Sequence, residues 1–295
     1  MKTFLFFLRI RNKKAMTKED VLKQCTVEGN VVKLPQGQLD KKLYGEVKKA
    51  LEKIGGSWKG GKVFGFIFSS DPSELLSEIA GGVKRNIKKE FQFYATPTHL
   101  SKRLVELACL EDGDVILEPS AGQGSILDVV KALGLNVKID CCELMPENKK
   151  VLEDKGYEVQ WGDFLALNED WKYTKIIANP PFAKNQDIKH VRKMYNHLED
   201  TGKVVAIMST SWIQSSLKEA KAFKVWLDDD GYFTDDRNAP MKKQWHIFGN
   251  IGESAQFTRK NGDTVYIETL DSTHFKESGA NVKTCIVVID RYTGI

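Results

Sequence analysis

The chain has 295 residues, of which 41% are apolar and 28% charged, and its formal net charge is +4. That balance is ordinary for a water-soluble globular protein large enough for one α/β domain and a small accessory module. The five cysteines (Cys25, Cys109, Cys141, Cys142, Cys285) and five scattered histidines lack CxxC or clustered His/Cys spacing, which argues against a zinc site or disulfide framework and for reduced core thiols in a cytoplasmic protein.

The N-terminal MKTFLFFLRIRNKK has an apolar core too short for a signal peptide or a bilayer span, so no membrane partner is expected. Residues 1–15 read as a disordered leader, because Met16 precedes a helix-start signal at Thr17-Lys18-Glu19-Asp20. Residues 16–82 read as a small α+β module. Its expected parts are a helix from Lys18 to Cys25, an extended run from Asn30 to Leu34, and a helix from Leu39 to Ile54 closed by Gly55-Gly56. A hairpin with a glycine turn follows at Trp58-Lys59-Gly60-Gly61-Lys62-Val63-Phe64, then a helix from Asp71-Pro72 to Gly81-Gly82.

Residues 83–92 are a basic connector carrying Lys84, Arg85, Lys88 and Lys89. From residue 93 onward, strands alternate with helices. Strands are expected at Val115–Glu118, Val137–Glu143, Glu158–Trp161, Lys175–Ala178 and Lys203–Met208, and helices near 99–108, 124–133, 147–155, 186–199 and 216–229. This alternation predicts an α/β, Rossmann-like fold with a mostly parallel sheet. Residues 231–264 read as an irregular polar and aromatic insertion, followed by a closing pair of strands at Tyr266–Leu270 and Lys283–Ile289.

Chemistry-bearing residues fall at successive strand ends. Glu118-Pro119-Ser120-Ala121-Gly122-Gln123-Gly124 ends the first strand and opens a helix, where glycines let the backbone approach a ligand. Without full GxGxxG spacing, it fits a nucleoside with a short charged tail better than a dinucleotide. The second strand ends in Glu143, placed to take ribose hydroxyls, and the third in Gly162-Asp163-Phe164, a carboxylate and a ring for an adenine. The fourth runs into Asn179-Pro180-Pro181-Phe182. Consecutive prolines fix φ twice and remove two N–H donors, leaving a stiff ribbon with free carbonyls. With the Asn179 side-chain oxygen and the Phe182 ring, such a site grips a planar ring bearing an exocyclic NH2.

These motifs resemble those of class I S-adenosylmethionine-dependent methyltransferases, of the amino-methylating adenine-N6 DNA type with gamma-type motif order. The resemblance rests on Tyr94-Ala95-Thr96-Pro97, Glu118 to Gly124, Glu143, Gly162-Asp163-Phe164 and Asn179 to Phe182, and covers roughly residues 93–292. The front module is more loosely similar to modules preceding this domain in phage and mobile-element methyltransferases. The resemblance implies S-adenosyl-L-methionine as cofactor, with Gly122 and Gly124 lining it and Ser120 and Ala121 beside its methionine moiety. It also implies Glu143 on the ribose, Asp163 and Phe164 on the adenine, Glu118 in the same motif, and Tyr94 and Thr96 over the methionine end. Asn179, Pro180, Pro181 and Phe182 become the catalytic residues. No metal is implied.

The chain ends soon after its closing strands, where gamma-type enzymes commonly continue into a target-recognition domain. DNA recognition is therefore expected in one of two basic and aromatic segments, or from a partner protein or second copy of the chain. One segment is the 16–82 module with Trp58, Lys59 and Lys62. The other is the 231–264 insertion with Arg237, Lys242, Lys243, Trp245, His246, Arg259 and Lys260. An RNA base or protein glutamine amide also presents a planar NH2 to such a site, and a non-catalytic DNA-binding protein is the alternative from another class.

Overall fold

A computed structural model describes residues 16–90, 94–167, 171–228, 254–275 and 282–291. The expectation for residues 1–15 lies outside the described residues, as do Arg237, Lys242, Lys243, Trp245 and His246 of the insertion. The chain divides into two compact units at Ile87/Lys88, within the basic connector.

In the first unit, α1 (Lys18–Leu22) starts with Thr17 and Asp20 capping each other's backbone N–H groups. It is followed by β1 (Thr26–Glu28), β2 (Val31–Lys33), α2 (Lys41–Lys53), β3 (Ser57–Lys59), β4 (Gly65–Ile67) and α3 (Ser73–Ala80). The four strands form an antiparallel sheet in the order β1-β2-β4-β3. The expected hairpin is present, but its second strand begins at Gly65. Phe64 sits just outside it at φ 42°, exposed, with its ring edge-on to Trp58. β1 was not legible, because three residues of alternating exposure carry too little pattern. A helical turn, α4 (Ile87–Glu90), crosses the connector.

The second unit has α5 (Thr98–Ala108), β5 (Val115–Glu118), α6 (Ser125–Ala132), β6 (Lys138–Cys142), α7 (Pro146–Asp154), β7 (Val159–Trp161), β8 (Tyr173–Ala178), α8 (Gln186–Asn196), β9 (Leu198–Ser209), α9 (Ser211–Gln214), α10 (Lys218–Leu227), β10 (Ser254–Thr258), β11 (Thr264–Leu270) and β12 (Thr284–Asp290). One eight-stranded sheet runs β10-β11-β12-β9-β8-β5-β6-β7. β5 through β9 pair in parallel, whereas β12 is antiparallel to β9 and β11. This is the Rossmann-like α/β class expected, with antiparallel closing strands.

Both faces of the sheet are covered, so its strands alternate between two apolar cores. Val204, Ala206 and Met208 of β9 meet Ile188, Val191 and Met194 of α8 and Phe223 of α10. Val205 and Ile207 face Leu100, Leu104 and Ala108 of α5 and Val130 of α6. The adjacent Cys141 and Cys142 fall in different clusters, as successive strand residues must. Both are buried, as is Cys285, but Cys109 is exposed at a left-handed helix cap, so not every thiol is a core thiol. Among the described residues, no helix is long and apolar enough to cross a membrane.

Part of the supposedly irregular insertion is regular. β10 pairs with β11 through a tight turn at Lys260-Asn261-Gly262, closed by Arg259 and Asp263. Asn261-Gly262, a hairpin signal in the sequence, accounts for it; Gly262 takes φ 92° there. Arg259, offered above as a nucleic-acid contact, is 8% exposed. Its Nη1 lies 2.9 Å from Asp263 Oδ2, and Nη2 donates to the Trp226 carbonyl at 3.0 Å. It holds the hairpin against α8 and α10 instead of meeting solvent.

Candidate functional site

Strand order decides where the motifs meet. Chain order reverses between β5 and β8, which are hydrogen-bonded neighbours although β6 and β7 lie between them in sequence. A crevice opens beyond the carboxyl ends of strands at such a switch point. The loops after β5 and β8 wall this crevice, and those after β6 and β7 extend it.

The loop after β5 is fastened from beneath. Ala121 N–H donates to the Cys142 carbonyl at 2.9 Å. Gly122 N–H donates to Glu143 Oε2 at 2.7 Å, and Met145 N–H to Glu143 Oε1 at 2.7 Å. Glu143 therefore bridges the ends of β5 and β6 while also lining the cavity. Burial raises its carboxyl pKa, opposed by the Met145 and Gly122 N–H groups. Gly122 and Gly124 adopt φ 56° and 82°, the left-handed region that glycine enters without steric cost. Ser120 Oγ, also on the wall, is buried without a hydrogen-bond partner among the described residues.

Asp163 accepts from Leu165 N–H at 2.9 Å and so caps the short turn after β7. Phe164 touches the cavity, but its ring is mostly core: it lies 5.6 Å from both the His190 and His197 rings, centroid to centroid.

Asn179 ends β8. Its Nδ2 donates to Thr96 Oγ1 at 3.1 Å, with the Tyr94 carbonyl 3.5 Å away. Its Oδ1 has no partner among the described residues. Pro180, Pro181 and Phe182 continue the wall, with Phe182 half-buried against the α5 side of the core. The chain then passes through Lys184 and Asn185, both at φ 57°, before α8 begins. Non-glycine residues there cost on the order of 1–3 kcal/mol each. Asn185 Nδ2 donates to Glu219 Oε2 at 2.8 Å, tying down this turn.

Of the residues singled out in the sequence, Tyr94, Thr96, Ser120, Ala121, Gly122, Glu143, Asp163, Phe164, Asn179, Pro180, Pro181 and Phe182 line one cavity. Glu118 and Gly124 do not. Glu118 is 2% exposed beneath the loop; burial first, then the neighbouring Glu143 charge, raises its pKa well above the ordinary range. Gly124 faces α7: a Cβ there would lie 3.0 Å from Leu152 Cδ2 and 3.4 Å from the Tyr157 ring. The left-handed backbone together with this tight packing, and not ligand approach, favours a glycine at that position.

Sequence reasoning missed Gln186 and His190, which bring a polar strip of α8 to the cavity. Their spacing of four, with His190 inside the apolar stripe Ile188-Val191-Met194, was the available signal. Gln123 and Ser125, at the start of α6, were also missed.

No family model matches the chain. Over an alignment of 105 positions, covering 32% of the chain and 37% of the other protein, the chain is 32% identical to ribosomal RNA small subunit methyltransferase A of Prochlorococcus marinus strain MIT 9515. The strain MIT 9301 protein matches at the same identity, with 38% of its length covered. The chain thus spans little more than a third of the curated relatives it matches. Among solved structures, a dimethyladenosine transferase from Plasmodium falciparum is 17% identical, with TM-score 0.41 and coverage of 68% of this chain and 64% of that one. A modification subunit assigned to a type I restriction enzyme of Vibrio vulnificus YJ016 is 12% identical, with TM-score 0.44 and coverage of 88% and 55%. Likenesses this loose carry no further argument.

Proposed function

We propose that the chain binds S-adenosyl-L-methionine and transfers its methyl group to the N6 amine of an adenine flipped out of DNA. The observation that carries this reading is the Asn179 carboxamide. Its amino group is held by Thr96 Oγ1 at 3.1 Å, which leaves Oδ1 without a partner on a cavity wall continued by Pro180, Pro181 and Phe182.

The cavity suits the cofactor on its own chemistry. Ser120 Oγ is a buried polar atom in want of a partner, which a ligand with a donor of its own would satisfy. Ser120, Ala121 and Gly122 would sit beside the methionine moiety, Glu143 would take the ribose hydroxyls, and Asp163 with Phe164 the adenine. Tyr94 and Thr96 would close the methionine end. When bound, the cofactor supplies an electrophilic methyl group on a sulfonium.

The protein's part is alignment. An exocyclic amine is a weak nucleophile because its lone pair is delocalised into the ring. Asn179 Oδ1 and the Pro180 carbonyl accept its two hydrogens and draw the nitrogen toward sp³ character, which frees the lone pair. Since the proton leaves only after the nitrogen has become cationic, no strong base is needed, and orientation and charge complementarity provide most of the rate. Phe182 replaces the stacking an extruded base loses, on the order of 1–3 kcal/mol.

RNA is the second reading, favoured by the names of the curated relatives, which are ribosomal RNA methyltransferases. The motif order and the basic connector favour DNA. Incubation with methyl-labelled S-adenosylmethionine and DNA, RNA or protein, followed by nucleoside and peptide mass analysis, separates them. Label in N6-methyldeoxyadenosine supports the proposal, label in N6-methyladenosine supports RNA, and unlabelled nucleic acid overturns both.

A further inference from the structure

α8 presents two polar side chains to the cavity, Gln186 and, one turn later, His190. His190 is 6% exposed and sits among apolar residues of α8, with the Phe164 ring 5.6 Å from its own. Its Nδ1 lies 2.8 Å from the Gln186 carbonyl oxygen. A carbonyl only accepts, so Nδ1 carries the proton and donates. In a neutral imidazole the other nitrogen then holds a lone pair and no proton. Burial favours that neutral form by lowering the imidazole pKa, with the Gln186 carbonyl and then the Asp163 charge working in the opposite direction. Nε2 makes no hydrogen bond among the described residues, and its ring is on the cavity wall. The fold has therefore fixed a single acceptor, by tautomer and by burial, in the cavity region where Asp163 and Phe164 lie.

We infer that His190 Nε2 accepts a hydrogen from the exocyclic amine of the cofactor's adenine and so makes the cavity selective for adenine over hypoxanthine. This rests on the proposed identity of the cavity as an S-adenosylmethionine site. A primary amine has two hydrogens. Asp163 Oδ1 already accepts from Leu165 N–H, so the aspartate offers its remaining oxygen to one, and Nε2 serves the other. Hypoxanthine bears a carbonyl oxygen at the same position, which would set two acceptors against each other at Nε2 and lose both hydrogen bonds. A site built around hydrogen-bond complementarity rejects an analogue that cannot supply the donor.

The experiment is calorimetric titration with S-adenosylhomocysteine and its deaminated counterpart, S-inosylhomocysteine. The unaltered chain should bind the adenine compound at least about 10-fold more tightly, the scale of one charge-free hydrogen bond. His190→Phe, which keeps the ring volume, should lose the part of that preference that Asp163 does not supply, mainly through weaker binding of the adenine compound. His190→Gln, whose amide oxygen reaches roughly as far as Nε2, should restore part of it. In the unaltered chain carrying ¹⁵N-histidine, the His190 Nε2 resonance should move with S-adenosylhomocysteine and stay in place with S-inosylhomocysteine; this readout needs no variant to fold. Full preference retained in His190→Phe, or an Nε2 resonance indifferent to the adenine compound, overturns the role of His190 and leaves the cofactor reading standing. Failure of the unaltered chain to bind S-adenosylhomocysteine overturns both.

Discussion

Asn179 and Thr96, 83 residues apart in sequence, meet through an Nδ2–Oγ1 hydrogen bond of 3.1 Å. That bond fixes which end of the carboxamide is free, because Nδ2 is engaged and Oδ1 is not. Asn179→Ala removes the acceptor and should abolish methyl transfer while leaving cofactor affinity nearly intact. Thr96→Val tests the positioning, with cofactor affinity measured in parallel because Thr96 also lies at the proposed methionine end. It keeps the side-chain shape but releases the carboxamide to rotate, so kcat should fall on the order of 100-fold, the scale of a small misplacement in a reacting pair. KM for nucleic acid should change much less, and Thr96→Ser, which retains the hydroxyl, should recover most of kcat. A Thr96→Val enzyme with unchanged kcat would remove Thr96 from this role.

Phe182 is half-buried against the α5 side of the core yet lines the cavity, so one part of its ring is anchored and another is available to a base. Phe182→Ala should weaken capture of the target base by about 1–3 kcal/mol, the value of one stacked base. Fluorescence titration with an oligonucleotide carrying 2-aminopurine at the target position reads this directly. Cofactor affinity measured in parallel should shift less, and equal losses for both ligands would count against the stacking role.

Glu118 gives a stability prediction with a defined sign. Its carboxyl is 2% exposed, Oε2 has no partner among the described residues, and its pKa lies well above the ordinary 4.5 because of burial first and the Glu143 charge second. The folded chain thus holds this proton more tightly than the unfolded chain does. Stability from this group is present near pH 4.5 and is lost as pH rises through the folded pKa. Glu118→Gln cannot ionise. Its melting temperature should exceed that of the unaltered chain above neutrality, by an amount that shrinks as pH falls toward 4.5. Melting curves between pH 4.5 and 8.5 check this, and a difference that grows toward acid pH would refute it.

Where local pattern was enough, the sequence was legible. Val115–Glu118 was read to the residue, since a short apolar run bounded by turn signals has few alternative placements. The loops at 119–124 and 179–182 were read as parts of one site because strand ends in a parallel sheet share one edge. What could not be read depended on partners distant in sequence or on conformations unusual for the residue type. Glu118 and Glu143 look alike as strand-end acids, and only the packing of α6 and α7 shows that one is sealed beneath the loop and the other reaches the cavity. His190 looks like a core histidine until the carbonyl of Gln186 fixes its tautomer. Lys184 carries no sequence mark of its left-handed backbone, and only the asparagine at 185 hints at one.

The ion pair between Arg259 and Asp263 was within local reach, since the two residues flank an Asn-Gly turn, and both of its side chains are buried. Asp263 is fully buried and its Oδ2 accepts from Arg259 Nη1 at 2.9 Å, Tyr195 Oη at 2.6 Å and Asn261 Nδ2 at 2.9 Å. The Arg259 guanidinium in turn stacks over the Tyr195 and Trp226 rings, 5.3 and 5.2 Å from their centroids. Asp263→Ala leaves that guanidinium buried without its carboxylate and should cost on the order of 3–5 kcal/mol of unfolding free energy. Replacing both partners with apolar residues, as in Arg259→Met with Asp263→Ala, should cost less than Asp263→Ala alone, because the buried guanidinium is removed together with its carboxylate. Urea denaturation of the two single variants and the double variant completes the cycle. A double variant less stable than Asp263→Ala would mean that the aromatic stacking of Arg259, and not its charge pairing, holds the β10–β11 hairpin to α8 and α10.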